Sequence, residues 1–317
     1  PVSPLFYVLC ILSGTVFVAL FSLGLKLKNK LKIYLSVFFL TASASVYGLE
    51  TYLELYRDNY NFYFGKDRFI DRDYYGGTYA KNKNDNNYNI FSASGMDFIV
   101  INLDWDSDFK ELEWANNLLQ TFKEHRAIVV SHYILGGDFE NQQDNKNFSF
   151  QGQKIFNALK KNPNLFLMLS GHIAPNGENM RTDVLKKRSE IYTDNFQIHS
   201  ILSNYQDRFR GGNGWLRILQ FSPTTSEIRV KTYSPWLDSW EIDENSEFTL
   251  FYNMSNPELS IEDQKTNSSI TNENFSIVVI PDTQYYSERF PLIFNSQTQW
   301  IADNYEAWNI VYVTHLG

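Results

Sequence analysis

Hydrophobic and polar positions along the 317 residues fall into three regimes. Residues 1–25 carry no charge, and Leu5 to Leu25 is long enough to cross a bilayer as a helix. Lysines follow at positions 26, 28, 30 and 32. Ile33 to Leu49 is then a second uncharged run, shorter and diluted by Ser and Thr, ending at Glu50. The pattern predicts a membrane segment over 1–55, of one or two transmembrane helices. The lysines lie on the cytoplasmic side, which puts everything after Glu50 outside the cytoplasm. A cleaved signal peptide is the alternative for the start, but its n-region lacks the positive charge such peptides carry.

From residue 56 to 253 the pattern alternates strand and helix. Phe98 to Leu103 reads as a strand, and Phe109 to Glu124 has helical spacing through Leu112, Trp114, Ala115, Leu118, Leu119 and Phe122. Ala127 to Val130 is a strand, Gln153 to Lys161 a helix and Asn164 to Ser170 another strand. Beyond His172 the character turns to β, with a hairpin predicted between Trp215–Phe221 and Glu227–Tyr233 around Pro223, Thr224 and Thr225. The polar stretch Asn84 to Tyr88 reads as an exposed loop. Residues 254–274 are rich in Ser, Asn, Thr, Glu and Asp and read as a linker. In 275–317, Ser276 to Ile280 suits a strand buried on both faces, followed by a helix around Gln297 to Tyr305 and a strand at Ile310 to Val313. This alternation predicts an α/β layered fold.

Three apolar runs end in a residue able to hold a cation. Ser276–Ile280 runs into Asp282 and Gln284, Ala127–Val130 into His132, and Leu165–Leu169 into His172. A carboxylate and a carboxamide two residues apart, just past a buried strand, offer two oxygen ligands to one cleft. Any one of these residues reads as easily as a turn former, but three such strand ends can share one sheet edge.

Those residues carry a resemblance. PDTQ at 281–284, THLG at 314–317, SHY at 131–133 and SGH at 170–172, with YYGGTY, FSASGMDFIVINLDW, ELEWANNLL, NYQ, GGNGWLRILQFSP and VKTYSP between them, resemble the calcineurin-like metallophosphoesterase family. The resemblance implies an αββα sandwich of two mixed sheets and hydrolysis of a phosphomonoester or phosphodiester by metal-activated water. It implies two divalent ions, of Mn, Fe, Zn or Mg, with Asp282 and Gln284 on the first, and His132 and His172 on the second. It also implies cleft walls at Tyr205, Gln206 and Gly211 to Trp215, with Arg217 as a candidate phosphate contact. An Arg inside a hairpin otherwise pairs across strands. His315 is expected to position its loop, and His125 and His199 to be surface or packing residues.

The order departs from the family's. Its closing segments occupy 56–253 and its opening segment occupies 275–317, while the Gly-Asp aspartate and the Gly-Asn-His segment, source of the family's general-acid histidine, do not occur in this sequence. Ala174 stands where many relatives have a second His. A tandem fragment, a circular permutation and a chimeric gene model all account for the order, and a catalytically incomplete binding or scaffold module is the competing function.

Composition narrows the partners. A net charge of −8 disfavours nucleic acid, because phosphate backbones reward basic surfaces. Hydrophobic and aromatic contents of 43% and 16% fit a folded chain. Cys10, the single cysteine, excludes an intramolecular disulfide. The expected partners are a phosphate-ester substrate and the membrane that holds residues 1–55.

Overall fold

The structure, a computed structural model, describes residues 60–136, 147–173, 177–186, 195–254 and 273–317. The expected membrane segment and nearly all of the expected linker lie outside them. Among the described residues no helix is long and apolar enough to cross a membrane. Two compact units divide between Arg68 and Phe69. In the first, a short 3-10 turn at Lys66–Arg68 is held by Arg68, which donates to the Tyr63 carbonyl and lies over the Phe64 ring.

The second unit contains two sheets. Seven strands form the first: β1 (Tyr75–Thr78), β2 (Asn87–Ala93), β3 (Met96–Leu103), β4 (Arg126–Ser131), β5 (Leu165–Ser170), β6 (Gly177–Lys186) and β7 (Asn195–Asn204). Their order is β1-β2-β3-β4-β5-β7-β6. The run from β3 through β4 and β5 to β7 is parallel, and β1, β2 and β6 pair antiparallel at its flanks. The six strands of the second sheet are β8 (Leu216–Ser222), β9 (Glu227–Ser234), β10 (Ser239–Glu241), β11 (Phe248–Phe251), β12 (Phe275–Ile280) and β13 (Ile310–His315). Here β12 and β13 are the parallel pair.

Helices cover the outer faces. Helix α1 (Phe109–Thr121) follows β3 and starts in a capping box in which Asp108 accepts from Lys110 and Glu111. Satisfying those orphan amide groups fixes where the helix begins. It buries Leu112, Ala115 and Leu119 on one face. Helix α2 (Phe150–Leu159) is capped by Ser149 and buries Ile155, Phe156 and Leu159. It approaches so closely that a Cβ on Gly152 would sit 2.0 Å from the Ile134 carbonyl oxygen. Helices α3 (Gln284–Arg289) and α4 (Pro291–Asn304) connect β12 to β13, with Pro291 placed where a helix needs no amide donor.

Three apolar clusters separate four layers. One lies between the sheets and stacks Phe221 on Phe275 at 4.7 Å, with Phe98 and Phe166 edge-on. A second joins the first sheet to α1 and α2, and a smaller third joins Leu216, Ile218 and Val278 to Trp300 and Ile301 of α4. Helix, sheet, sheet, helix is the layered sandwich expected from the sequence.

The assembly joins what the sequence reading separates. β12 pairs antiparallel with β8, opposing Val279 to Arg217 and Phe275 to Phe221, so 275–317 completes the sheet begun within 56–253. All six residues of β12 are buried, and a strand buried on both faces needs a partner on each edge. The predicted loop at Asn84 to Tyr88 also differs. Asn84, Asn86 and Asn87 are buried, because the asparagines satisfy one another and the backbone. Tyr75 donates to Asn84 Oδ1, Asn87 to the Asn84 carbonyl, Asn102 to Asn87 Oδ1, and Asn86 to Glu111.

Candidate functional site

The carboxyl-terminal ends of β4, β5 and β12 meet at one edge of the sandwich, and each carries one of the residues singled out from the sequence. Asp282 follows β12, His132 follows β4 and His172 lies two residues past β5. A Cβ on Gly171 would stand 3.3 Å from the Cβ atoms of both Asp282 and Leu316, and one on Gly317 would stand 2.5 Å from His132 Nδ1. Glycine at both positions lets the two sheets close on each other here.

His132 is oriented from behind. Its Nδ1 lies 2.7 Å from the Leu316 carbonyl oxygen. A carbonyl only accepts, so Nδ1 carries the proton and Nε2 presents a lone pair. That Nε2 is 3.6 Å from Asp282 Oδ2 and 3.1 Å from His172 Nδ1. Asp282 is 2% exposed. Its Oδ1 accepts from the Gln284 amide at 3.1 Å, which leaves Oδ2 to face His132. Burial pushes its carboxyl pKa up, opposed by His132, the Gln284 amide and the Gln206 side chain.

His172 is held in an unusual backbone. Its φ is +70°, and the amide of Ile173 donates to the Gly171 carbonyl at 2.9 Å, closing a three-residue turn about it. Such turns are rare and strained away from glycine. The ring packs against Tyr133 and Trp105, with centroids 4.6 and 4.9 Å away. Burial, and then His132, lower its pKa to about 4, so it is a neutral donor at physiological pH.

Not every expected residue arrives. Gln284 opens α3 and is exposed; the structure brings its amide, not its side chain, to Asp282. Arg217 is corrected outright. It is fully buried, with Nε donating to Ser203 Oγ at 2.6 Å and Nη1 to the Asn245 carbonyl at 2.9 Å. It ties β8 to β7 across the layers and presents no free fork to a phosphate. His315 behaves as expected, bridging to Thr283 Oγ1 at 3.0 Å. His199 is a packing residue, 3.1 Å from the Phe251 carbonyl, and His125 packs edge-on against Phe122. Asp104 bonds to the Trp105 amide and Asp106 to Lys154, both as turn residues.

The sequence reading missed Trp105 as a wall of this site. It stacks on Tyr133 at 14° and lies against both histidines. Its signal was positional: Trp105 follows β3, the neighbour of β4, at the same sheet edge.

The donor set decides which cations fit. Ligands at about 2.1 Å from one ion stand roughly 3.0–3.4 Å apart, so His132 Nε2 and Asp282 Oδ2, 3.6 Å apart, would have to draw slightly closer to share a single cation. His172 touches His132 instead. Among the described residues no three His, Cys, Asp or Glu are gathered to hold an ion, and no two-ion centre is formed among them.

No family model matches the chain. It is 34% identical over 177 residues, 55% of its length, to "Uncharacterized protein YvnB" of Bacillus subtilis (strain 168), and spans 13% of that protein. Among solved structures, a Staphylococcus aureus "Putative 5'-Nucleotidase" in complex with alpha-ketoglutarate aligns over 60% of this chain and 34% of its own at 13% identity and a TM-score of 0.26. An overlap that loose carries no weight for fold or function.

Proposed function

We propose that this chain carries a phosphoesterase-type hydrolase site of the calcineurin-like metallophosphoesterase class, with His132 and Asp282 sharing one divalent cation. The observation that supports it most is the meeting of His132 Nε2, its lone pair aimed by Leu316, with Asp282 Oδ2. These residues come from strands of different sheets, and the His132 Nε2 lone pair lies 3.1 Å from His172 Nδ1 and 3.6 Å from the Asp282 carboxylate. A cation between Nε2 and Oδ2 would take the place of the His172 contact and relieve the repulsion of the two acceptors. A bound divalent cation would supply an acidified water and neutralise charge on a phosphate ester.

The chain's own residues do the rest. Leu316 fixes the His132 tautomer, Gln284 turns the carboxylate, and Trp105 and Tyr133 exclude water from one side of His172. With His132 and Asp282 as its two protein ligands, a bound ion would keep waters and bind weakly, in the manner of Mg or Mn. The substrate class is a phosphomonoester or phosphodiester, and the site works outside the cytoplasm on a chain anchored through residues 1–55.

A binding module is the second reading, favoured by the absence of three gathered donors among the described residues. Hydrolysis of p-nitrophenyl phosphate and bis-p-nitrophenyl phosphate by the full chain in detergent with Mn2+ separates the two. Cation-dependent turnover that Asp282→Ala abolishes is expected. Binding of Mn2+ without turnover would sink the hydrolase and leave the module.

A further inference from the structure

Tyr60, Phe62, Tyr63 and Phe64 crowd four aromatic rings into five positions, and none of them is buried. Phe62 is 80% exposed and Tyr63 62%. The rings pack on one another, Tyr60 against Phe64 at 5.5 Å and Phe62 edge-on to Tyr63 at 5.0 Å. The Lys66–Arg68 turn that follows buries nothing either. An exposed apolar cluster rimmed by charged residues marks a surface that a partner covers.

The preceding sequence identifies that partner. Tyrosines at 52, 56, 60 and 63 recur at the spacing of one helical face, while the charged residues at 50, 54, 57 and 58 fall on the opposite side, the pattern of a segment lying along a membrane surface. Residues 50–59 alone separate the uncharged run ending at Leu49 from Tyr60. They span about 15 Å as a helix and at most about 36 Å when extended. A membrane span closing at Leu49 therefore keeps the aromatic cluster within reach of the bilayer surface. Aromatic rings suit that layer, since the ring enters the acyl boundary while a tyrosine hydroxyl stays among the headgroups. Lys66 and Arg68 supply charged ends for lipid phosphates. We infer that the segment ending at Phe64 is an interfacial anchor, with Phe62 and Tyr63 seated at headgroup depth in a lipid bilayer. This rests on the reading of residues 1–55 as a membrane segment.

The test uses the full chain with Cys10→Ser and one new cysteine carrying a spin label, reconstituted into phosphatidylcholine vesicles. Phe62→Cys reports on the cluster, Ala19→Cys on the first uncharged run and Lys81→Cys on an exposed turn. Collision of each label with oxygen, which concentrates in lipid, is compared with collision with a water-soluble nickel chelate. The expected oxygen-to-nickel ratio at position 62 is several-fold above that at 81. It falls toward the value at 81 when Tyr60→Ser, Tyr63→Ser and Phe64→Ser are combined, while the label at 19 is unmoved. A ratio at 62 equal to that at 81, with the label at 19 in lipid, would overturn the interfacial anchor and leave the membrane segment standing. A high ratio that the serines do not change would show that the tether alone holds the segment there, and shielding from both probes would show a protein cover; either result overturns the inference. A label at 19 in water would overturn the membrane segment and this inference with it. The cation site is tested separately.

Discussion

Replacing Arg217 by Ala separates its two readings. As a phosphate contact it would affect substrate binding and leave stability alone; as a clamp between the sheets it does the reverse. The structure favours the clamp: the guanidinium is fully buried, donating to Ser203 Oγ at 2.6 Å and to the Asn245 carbonyl at 2.9 Å, with the Phe248 ring 5.6 Å away. Each hydrogen bond to a buried charged group contributes about 1.5–3 kcal/mol. The truncation takes the partner from the buried Ser203 hydroxyl and from the carbonyl of exposed Asn245 and removes the side-chain stem from the core, while the relief of guanidinium desolvation offsets part of the loss. The expected cost is about 3–5 kcal/mol. At roughly 2–4 °C per kcal/mol for a domain of this size, the midpoint of thermal unfolding falls by roughly 6–20 °C. Arg217→Met fills most of the space with an apolar stem and is expected to lose less, about 1–3 kcal/mol. The assay is thermal and denaturant unfolding followed by tryptophan fluorescence, beside KM for an aryl phosphate. An Arg217→Ala protein of wild-type stability with a raised KM would refute the clamp and restore the phosphate contact.

Two further outcomes follow from His199 and His172. His199 has its pKa lowered, chiefly by burial and against the Phe251 carbonyl, so the folded protein resists a proton that the unfolded chain accepts near pH 6.5. Its contribution to stability is complete above that pH and is lost as pH falls toward the lowered value; the drop in melting temperature between pH 7 and 5 should be smaller in His199→Gln than in the wild type, and equal slopes would contradict this. His172→Gly relieves about 1–2 kcal/mol of left-handed backbone and forfeits about 0.5–1.5 kcal/mol for each ring contact, with Trp105 and Tyr133. Denaturant unfolding should therefore place it within about 2 kcal/mol of the wild type, whereas a loss above about 3 kcal/mol would mark His172 as a packing residue.

Much of the architecture was legible because burial leaves a period. Leu112, Ala115 and Leu119 at helical spacing marked α1, and the all-buried runs of β5 and β12 marked central strands. His132, His172 and Asp282 were legible as strand-end residues, and the shared sheet edge brings them together. What stayed hidden depends on partners far away in sequence. Asn84, Asn86 and Asn87 look like loop residues because composition does not reveal that Tyr75, Asn102 and Glu111 satisfy them. Arg217 looked available for the same reason: Ser203 and Asn245 that engage it lie in other elements. The joining of 275–317 to β8 was invisible because a linker rich in polar residues reads alike whether it separates two domains or returns to one.

The central claim is that His132 and Asp282 share a cation. Calorimetric titration of the full chain in detergent with Mn2+, beside His132→Ala and Asp282→Ala, tests it most directly. One weak site is expected in the wild type and at least tenfold weaker binding in each variant, since each removes one of two proposed protein ligands. A wild type that takes up no Mn2+, or variants that bind it as the wild type does, would contradict the claim.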